Sequence, residues 1–301
     1  MHSHSHSHSH VHSRARDRRL LAIALGLIAA FMVGEIVAGL LASSLALLAD
    51  AGHMLTDAAA LAGALVASRL AARPARGAWT FGFGRAEILA AQANGITLLL
   101  VGIWIVYGAI RRLVSPPVVH GGVVLVVALA GIVVNLAATV VLARADRESL
   151  NVRGAFLHVA TDLAAFIGTA VAGAIILATG WYRVDAIAGL LVAALMLRSS
   201  WTLLRESGRI FLEASPAGID PAAVARAIAG EPDVVEVHDL HVWTVTSGFP
   251  ALAAHVIVAP ESDCHAIRRR LEQTLHDRFG LEHTTLQVEH AEPRLLTIER
   301  R

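Results

Sequence analysis

Apolar residues fill the first two thirds of this chain in blocks too long and too continuous for the core of a soluble domain, broken at intervals by arginine. By length they read as six helical spans, at 20–42, 45–69, 86–110, 121–143, 154–179 and 184–204, each near the ~20 residues that cross a bilayer. Near Pro216 the pattern changes. Residues 222–229 read as a short helix, 234–245 and 251–258 as strands, 264–278 as an amphipathic helix and 284–290 as a last strand. The expected fold class is an α-helical membrane protein: six transmembrane helices plus a C-terminal cytosolic α/β domain of order α-β-β-α-β, its helices on one face of a small sheet. The expected divisions are a His-rich, disordered cytosolic tail at 1–19, a six-helix transmembrane domain at 20–213 and a cytosolic domain at 214–301.

The arginines set the expected orientation. Arg14, Arg16, Arg18 and Arg19 precede the first span, Arg69, Arg73, Arg76 and Arg85 lie between the second and third, and Arg144, Arg147 and Arg153 between the fourth and fifth. The opposite loops carry only Arg111, Arg112 and Arg183. Positive charge marks the cytoplasmic side, so both termini are expected in the cytoplasm. With 55% hydrophobic residues and a mean hydropathy of +0.61, the chain is an integral membrane protein. A net charge of +1 argues against a polyanionic partner, nucleic acid included. The single cysteine, Cys264, excludes an intrachain disulfide framework and a Cys-rich zinc finger. Residues 1–12 place six histidines in alternation with Ser or Val, a tract too short and polar to pack, which is either an inert tail or a weak collector of divalent metal. It does not read as a signal peptide, because the apolar run behind it is long enough to span and has no small-residue cleavage site.

Against this apolar ground, chargeable side chains inside the spans stand out. His53 and Asp57 are four residues apart, and His158 and Asp162 repeat the pattern. Positions i and i+4 share a helix face, so each pair aims an imidazole and a carboxylate at one point. A charge near the bilayer centre costs at least ~2.5 kcal/mol, which makes such residues functional candidates. Two imidazoles and two carboxylates form a tetrahedral set suited to Zn2+, with Cd2+, Co2+, Fe2+ and Mn2+ as competitors. Its ligands shed protons to bind metal, so metal can move one way and H+ the other. Glu35, Asp50, Asn94 and Asn135 read as partners in helix-packing hydrogen bonds, and Gly34, Gly39, Gly63, Gly168 and Gly173 as sites of close helix approach.

The segments LLADAGHMLTD, FGFGRAE, HVATD, VDAIAGLLVA, HDLHVW and HTTLQVE, in that order, resemble the cation diffusion facilitator family, specifically its bacterial zinc exporters. The resemblance covers about 20–292. It implies a ferredoxin-like cytosolic domain, a homodimer in the inner membrane, and export of zinc in exchange for protons. It also implies a transport site of His53, Asp57, His158 and Asp162, with His at position 53 favouring zinc over cadmium. A cytosolic zinc site is implied at His238, His255, His265, His290 and Glu292, with Asp239, His241 and Cys264 as auxiliaries. His276 and His283 are expected to pack or face water, and His120 to lie in an external loop. Some members bind zinc between the second and third spans. The matching positions here are Arg76, Trp79 and Phe83, which offer no ligand, so no metal is expected there. Arg85 stands where the family often has a basic residue that interlocks with an acidic one after the sixth span; it reads as a plain cytoplasmic anchor or as the partner of Glu213.

Other functions are weaker. ATP-driven transport would want a phosphate-binding GxxxxGK[ST] loop, and none occurs. An intramembrane zinc hydrolase would want a general base beside its ligands, commonly as HExxH, and Met54, Leu55 and Thr56 stand between His53 and Asp57 instead. A membrane metal sensor that does not transport is the remaining alternative to an exporter of zinc or of another divalent cation.

Overall fold

The computed structural model describes residues 26, 29–142, 150–246 and 248–291; the side chains of 138, 139, 141, 142 and 150–161 fall outside that description, as does the His-rich tail. Six apolar helices come first: α1 (Ala29–Ala42), α2 (Leu45–Ala71), α3 (Arg85–Val114), α4 (Gly121–Leu142), α5 (Leu150–Thr179) and α6 (Arg183–Phe211). Within α2, α3, α5 and α6 lie stretches long and apolar enough to cross a membrane; α1 and α4 contribute shorter apolar stretches among the described residues. Large side chains such as Leu65, Leu100, Trp104 and Val133 face outward, as they must where the solvent is hydrocarbon.

The chain divides into two compact units, one of residues up to 59 with 94–201, the other of 60–93 with 202–301. In the first, small residues let α4 and α5 approach closely. A side chain on Gly173 would stand 2.7 Å from the Leu125 backbone nitrogen, and one on Gly131 would enter the Phe166 ring. Gly39 likewise meets Leu47 and Leu48 across the α1–α2 turn, whereas Gly34, Gly63 and Gly168 have no such neighbour among the described residues. Of the five expected glycine contacts, two are therefore present.

The start of α2 is fixed by a carboxylate from another helix. Ser44 caps the helix by accepting from the Leu47 N–H at 3.2 Å, and its own hydroxyl donates to Asp185 on α6 at 2.5 Å. Asp185, 1% exposed, also accepts from the backbone N–H groups of Leu45 at 2.6 Å and Ala46 at 3.4 Å. Arg112, at the end of α3, stands 3.6 Å from Asp185 and donates to the Ser43 carbonyl at 2.5 Å. Orphan N–H groups at the head of a helix carry partial positive charge, so a buried carboxylate is stable there.

The second unit holds the small domain: α7 (Pro221–Ala229), β1 (Val234–Thr246), β2 (Phe249–Val258), α8 (Cys264–Phe279) and β3 (His283–His290). The sheet order is β1-β2-β3, with β1 antiparallel and β3 parallel to β2. Leu252, Ala254, Val256 and Val258 alternate along β2 onto one buried face, covered by Val224 and Ile228 of α7 and Ile267, Leu271 and Leu275 of α8. The expected α-β-β-α-β order is the observed one. Asp263 caps α8, accepting from His265 and Ala266 N–H groups at 2.9 and 3.0 Å, and Gly280 closes the helix in a left-handed conformation at φ 67°.

Asp185→Ala removes the cap of α2 and the carboxylate beside Arg112, and is expected to cost about 3 kcal/mol, read as a lowered thermal midpoint in detergent. The bond from the Ala266 N–H holds the exposed Asp263 carboxyl below its usual range. Its stabilising effect is therefore full above the unfolded value of about 4 and is lost as pH falls through the lowered one. Asp263→Ala should flatten that acid limb of thermal unfolding; an unchanged limb would show that the cap does not titrate with folding.

Candidate metal centre

The spacing of His53 and Asp57 does on α2 what an i,i+4 pair must: His53 Nδ1 stands 3.5 Å from Asp57 Oδ2. The other face of the imidazole turns to α5, where Nε2 is 3.9 Å from Asp162 Oδ1. One imidazole thus lies between two carboxylates from two helices. Their side chains are 17%, 25% and 8% exposed, for His53, Asp57 and Asp162 respectively, sheltered but reachable. The Thr56 hydroxyl donates to the His53 carbonyl at 2.7 Å, tying up a hydroxyl that lies between the two ligands in sequence. His158 is on α5, one turn before Asp162; its side chain lies outside the described ones. The described atoms place a carboxylate oxygen beside each nitrogen of one imidazole, and a borderline divalent cation takes donors of both kinds.

Two further carboxyls are buried in the same unit. Glu35 on α1 is 0% exposed and Asp50 on α2 is 2% exposed. They face one another, and apart from that mutual contact no donor reaches either oxygen of Glu35 or Oδ2 of Asp50 among the described residues. A side-chain hydrogen bond between the two joins α1 to α2, the helix packing expected of them. Asn135 instead donates within its own helix, to the Gly131 carbonyl at 3.2 Å.

In the cytosolic sheet, His238 and His255 are direct partners across β1 and β2, with ring centroids 5.2 Å apart. Asp239 joins them, and donor atoms of the three lie within 4.8 Å of one another. Consecutive strand residues normally point to opposite faces. Here Asp239 takes φ 48° and the β1–β2 register shifts between His238 and His241, a bulge that brings the carboxylate round to the imidazoles. Two imidazoles and a carboxylate fit a resident Zn2+ with one position left for a fourth ligand. Asp239, an auxiliary by the family resemblance, is thus the carboxylate the structure brings to His238 and His255, and a bulge leaves no periodic signal by which to find it.

The remaining expected ligands are elsewhere within one protomer. His290 lies against Cys264, with Sγ 3.3 Å from Nε2, and that nitrogen is also 3.0 Å from the Ser262 carbonyl. His265 sits in the first turn of α8, and Glu292 is outside the described residues. His283 packs as expected, its ring 5.3 Å from Phe249 and 6.4 Å from Phe81. In the loop before α3, Arg76 bridges to Trp79, and Trp79 stacks on Phe83 at 5.1 Å. Arg85 stands 3.4 Å from Glu213, and its Nε donates to the Val245 carbonyl at 3.1 Å.

Residues 21–212 match the family model described as the cation efflux transmembrane domain, and 216–291 match that of the cation efflux protein cytoplasmic domain. The chain belongs to the cation efflux family. It is a multi-pass membrane transporter and not an enzyme. It is 44% identical over 274 residues to the zinc transporter ZitB of Shigella flexneri, covering 90% of this chain and 87% of that protein. It is 43% identical over 278 residues to the metal cation efflux system protein CzcD of Cupriavidus metallidurans, covering 91% and 87%. A cadmium, cobalt and zinc/H(+)-K(+) antiporter of Bacillus subtilis is 39% identical over 276 residues, covering 90% and 88%. Among solved structures, the metal-bound C-terminal domain of the CzcD transporter is 36% identical, with 24% of this chain and 99% of that one covered at a TM-score of 0.23.

If the bulge builds a cytosolic site, His255→Ala should weaken zinc binding there by about 10- to 100-fold, and Asp239→Ala should weaken it too. Calorimetric titration of the full chain measures both. Unchanged affinity in Asp239→Ala would remove the carboxylate from the site.

Proposed function

We propose that this cation efflux protein exports Zn2+ from the cytosol in exchange for H+, through a site of His53, Asp57, His158 and Asp162. It acts as a homodimer in the inner membrane of a bacterium, with both termini cytoplasmic and a cytosolic metal-binding and dimerisation domain beginning near residue 214. The observation that carries the reading is the convergence of His53 with Asp57 from its own helix and Asp162 from another, at 3.5 and 3.9 Å. The relatives named as zinc transporters support zinc as the cargo. Those named for cadmium, cobalt and zinc support a wider range, and export of another divalent cation is the second reading.

The chemistry follows from the ligands. A 2+ ion is balanced by two carboxylates, and imidazole nitrogen holds Zn2+ without requiring the thiolates that Cu(I) prefers. Protons and metal compete for the same lone pairs, so a site opened to the acidic side loads protons and releases metal, and a site opened to the neutral cytosol does the reverse. Transport in this scheme draws on the proton gradient. A helix pair that carries ligands on both sides of the ion also gives the ion leverage over helix separation, which is what alternating access needs. In the cytosolic domain, His238, Asp239 and His255 would hold a resident zinc, with His265, His290 and Glu292 as further candidates across the dimer.

Asp57→Ala and Asp162→Ala are expected to lower zinc flux into proteoliposomes by at least about 100-fold while the protein elutes as the wild-type dimer, because ligands are removed and packing is not. Zinc flux at the wild-type rate in either variant would overturn the site. Faster flux of Mn2+ than Zn2+ would overturn the cargo.

A further inference from the structure

Beside the proposed ligands, the spans bury two carboxyls whose role packing does not explain. Asp185 is spoken for by three hydrogen bonds and Arg112. Glu35 and Asp50 are not: they are 0% and 2% exposed, and apart from each other no donor reaches either oxygen of the first or Oδ2 of the second among the described residues. The helical hairpin sets them level. Gly39 of α1 packs against Leu47 and Leu48 of α2, Glu35 lies one turn before Gly39, and Asp50 one turn after Leu47. The two carboxyls hydrogen-bond to one another; the strongest charge acting on Glu35 is Asp50, and on Asp50 it is Asp162.

Two carboxyls held face to face in a dry site repel when both are ionised, and can bond to one another only through a proton that one of them carries. Their place relative to the ligands is as telling. Asp50, His53 and Asp57 follow at i, i+3 and i+7, one face of α2, so the pair lies one turn from the metal site toward the α1–α2 turn. Asp162 acts on both Glu35 and Asp50, and Asp57 acts on Asp50. Among the described residues, the charged groups acting on the pair are thus the proposed metal-ligating carboxylates themselves, with His53 a turn away.

We propose that Glu35 and Asp50 are the counter-ion station of the transporter, a carboxyl pair that takes up one proton as the metal leaves and gives it up as the metal arrives. The proposal rests on the antiport reading above. An O–H bond forms on one carboxylate when a proton reaches it from water, and breaks when zinc at Asp57 and Asp162 changes the local field and the proton returns to water. The pair touches no metal. It sets how many protons move per zinc.

The test is reconstitution of the full chain in liposomes with a lumenal pH dye and radioactive zinc. Zinc-for-zinc exchange at equal pH reads the metal site, and net zinc flux under a pH gradient reads the coupling. Glu35→Gln is expected to keep exchange within about twofold of wild type and to lower net proton-coupled flux by about tenfold or more, with Glu35→Asp recovering much of it. Asp50→Asn should behave like Glu35→Gln, and supplies the result if the first variant does not assemble. A wild-type proton-to-zinc ratio in both neutral variants overturns the proposal, as does loss of exchange together with net flux in both, which would make the pair part of the metal site or of the packing. Wild-type flux driven by a potassium gradient alone, abolished in Glu35→Gln, overturns the proton as occupant. Zinc exchange without proton movement in the wild type is a separate failure, that of the antiport reading.

Discussion

A charge inside an apolar layer must be compensated on the spot, and the first unit is arranged around that constraint. Isolated, each of His53, Asp57 and Asp162 would cost several kcal/mol in the spans. With His53 within 4 Å of each carboxylate they form a polar contact that α2 and α5 share. The same rule explains Asp185, whose burial is made tolerable by helix N–H groups, a serine hydroxyl and an arginine. That contact fixes the start of α2 only two turns before His53, so the ligand-bearing segment is held at a defined height against α6.

The rest of the helical unit supports this geometry through close approach rather than through polar bonds. Apolar attraction has no advantage between helices in a lipid-like solvent, so packing falls to glycines that admit a neighbour's backbone or ring. Gly173 against Leu125 and Gly131 against Phe166 bring α4 and α5 together. In the cytosolic domain the familiar rule returns. The alternating strand β2 buries one face beneath two capped helices, and a bulge in β1 brings Asp239 to the two imidazoles.

The number and type of elements could be read directly from the chain, because span length and strand alternation are set by the bilayer and the pleat. Strand and helix limits in the cytosolic domain came within two residues. The His53–Asp57 geometry was likewise legible, since i,i+4 spacing is a property of the helix alone. What the chain could not display was which distant groups meet: that Asp185 caps α2, that Glu35 and Asp50 oppose each other across a turn, or that a bulge rotates Asp239 onto the face of His238. Glycine was a weak guide for the same reason. Gly34 and Gly39 look alike in sequence, and among the described residues the second alone of these two has a neighbour to admit.

The most direct test of the four-ligand site is zinc X-ray absorption on the full chain carrying His238→Ala and His255→Ala, with and without Asp57→Ala. The account predicts zinc bound in the membrane by about four nitrogen and oxygen atoms at about 2.0–2.2 Å with no sulfur, and loss of that signal with Asp57→Ala. An identical spectrum and zinc content after Asp57→Ala would contradict it.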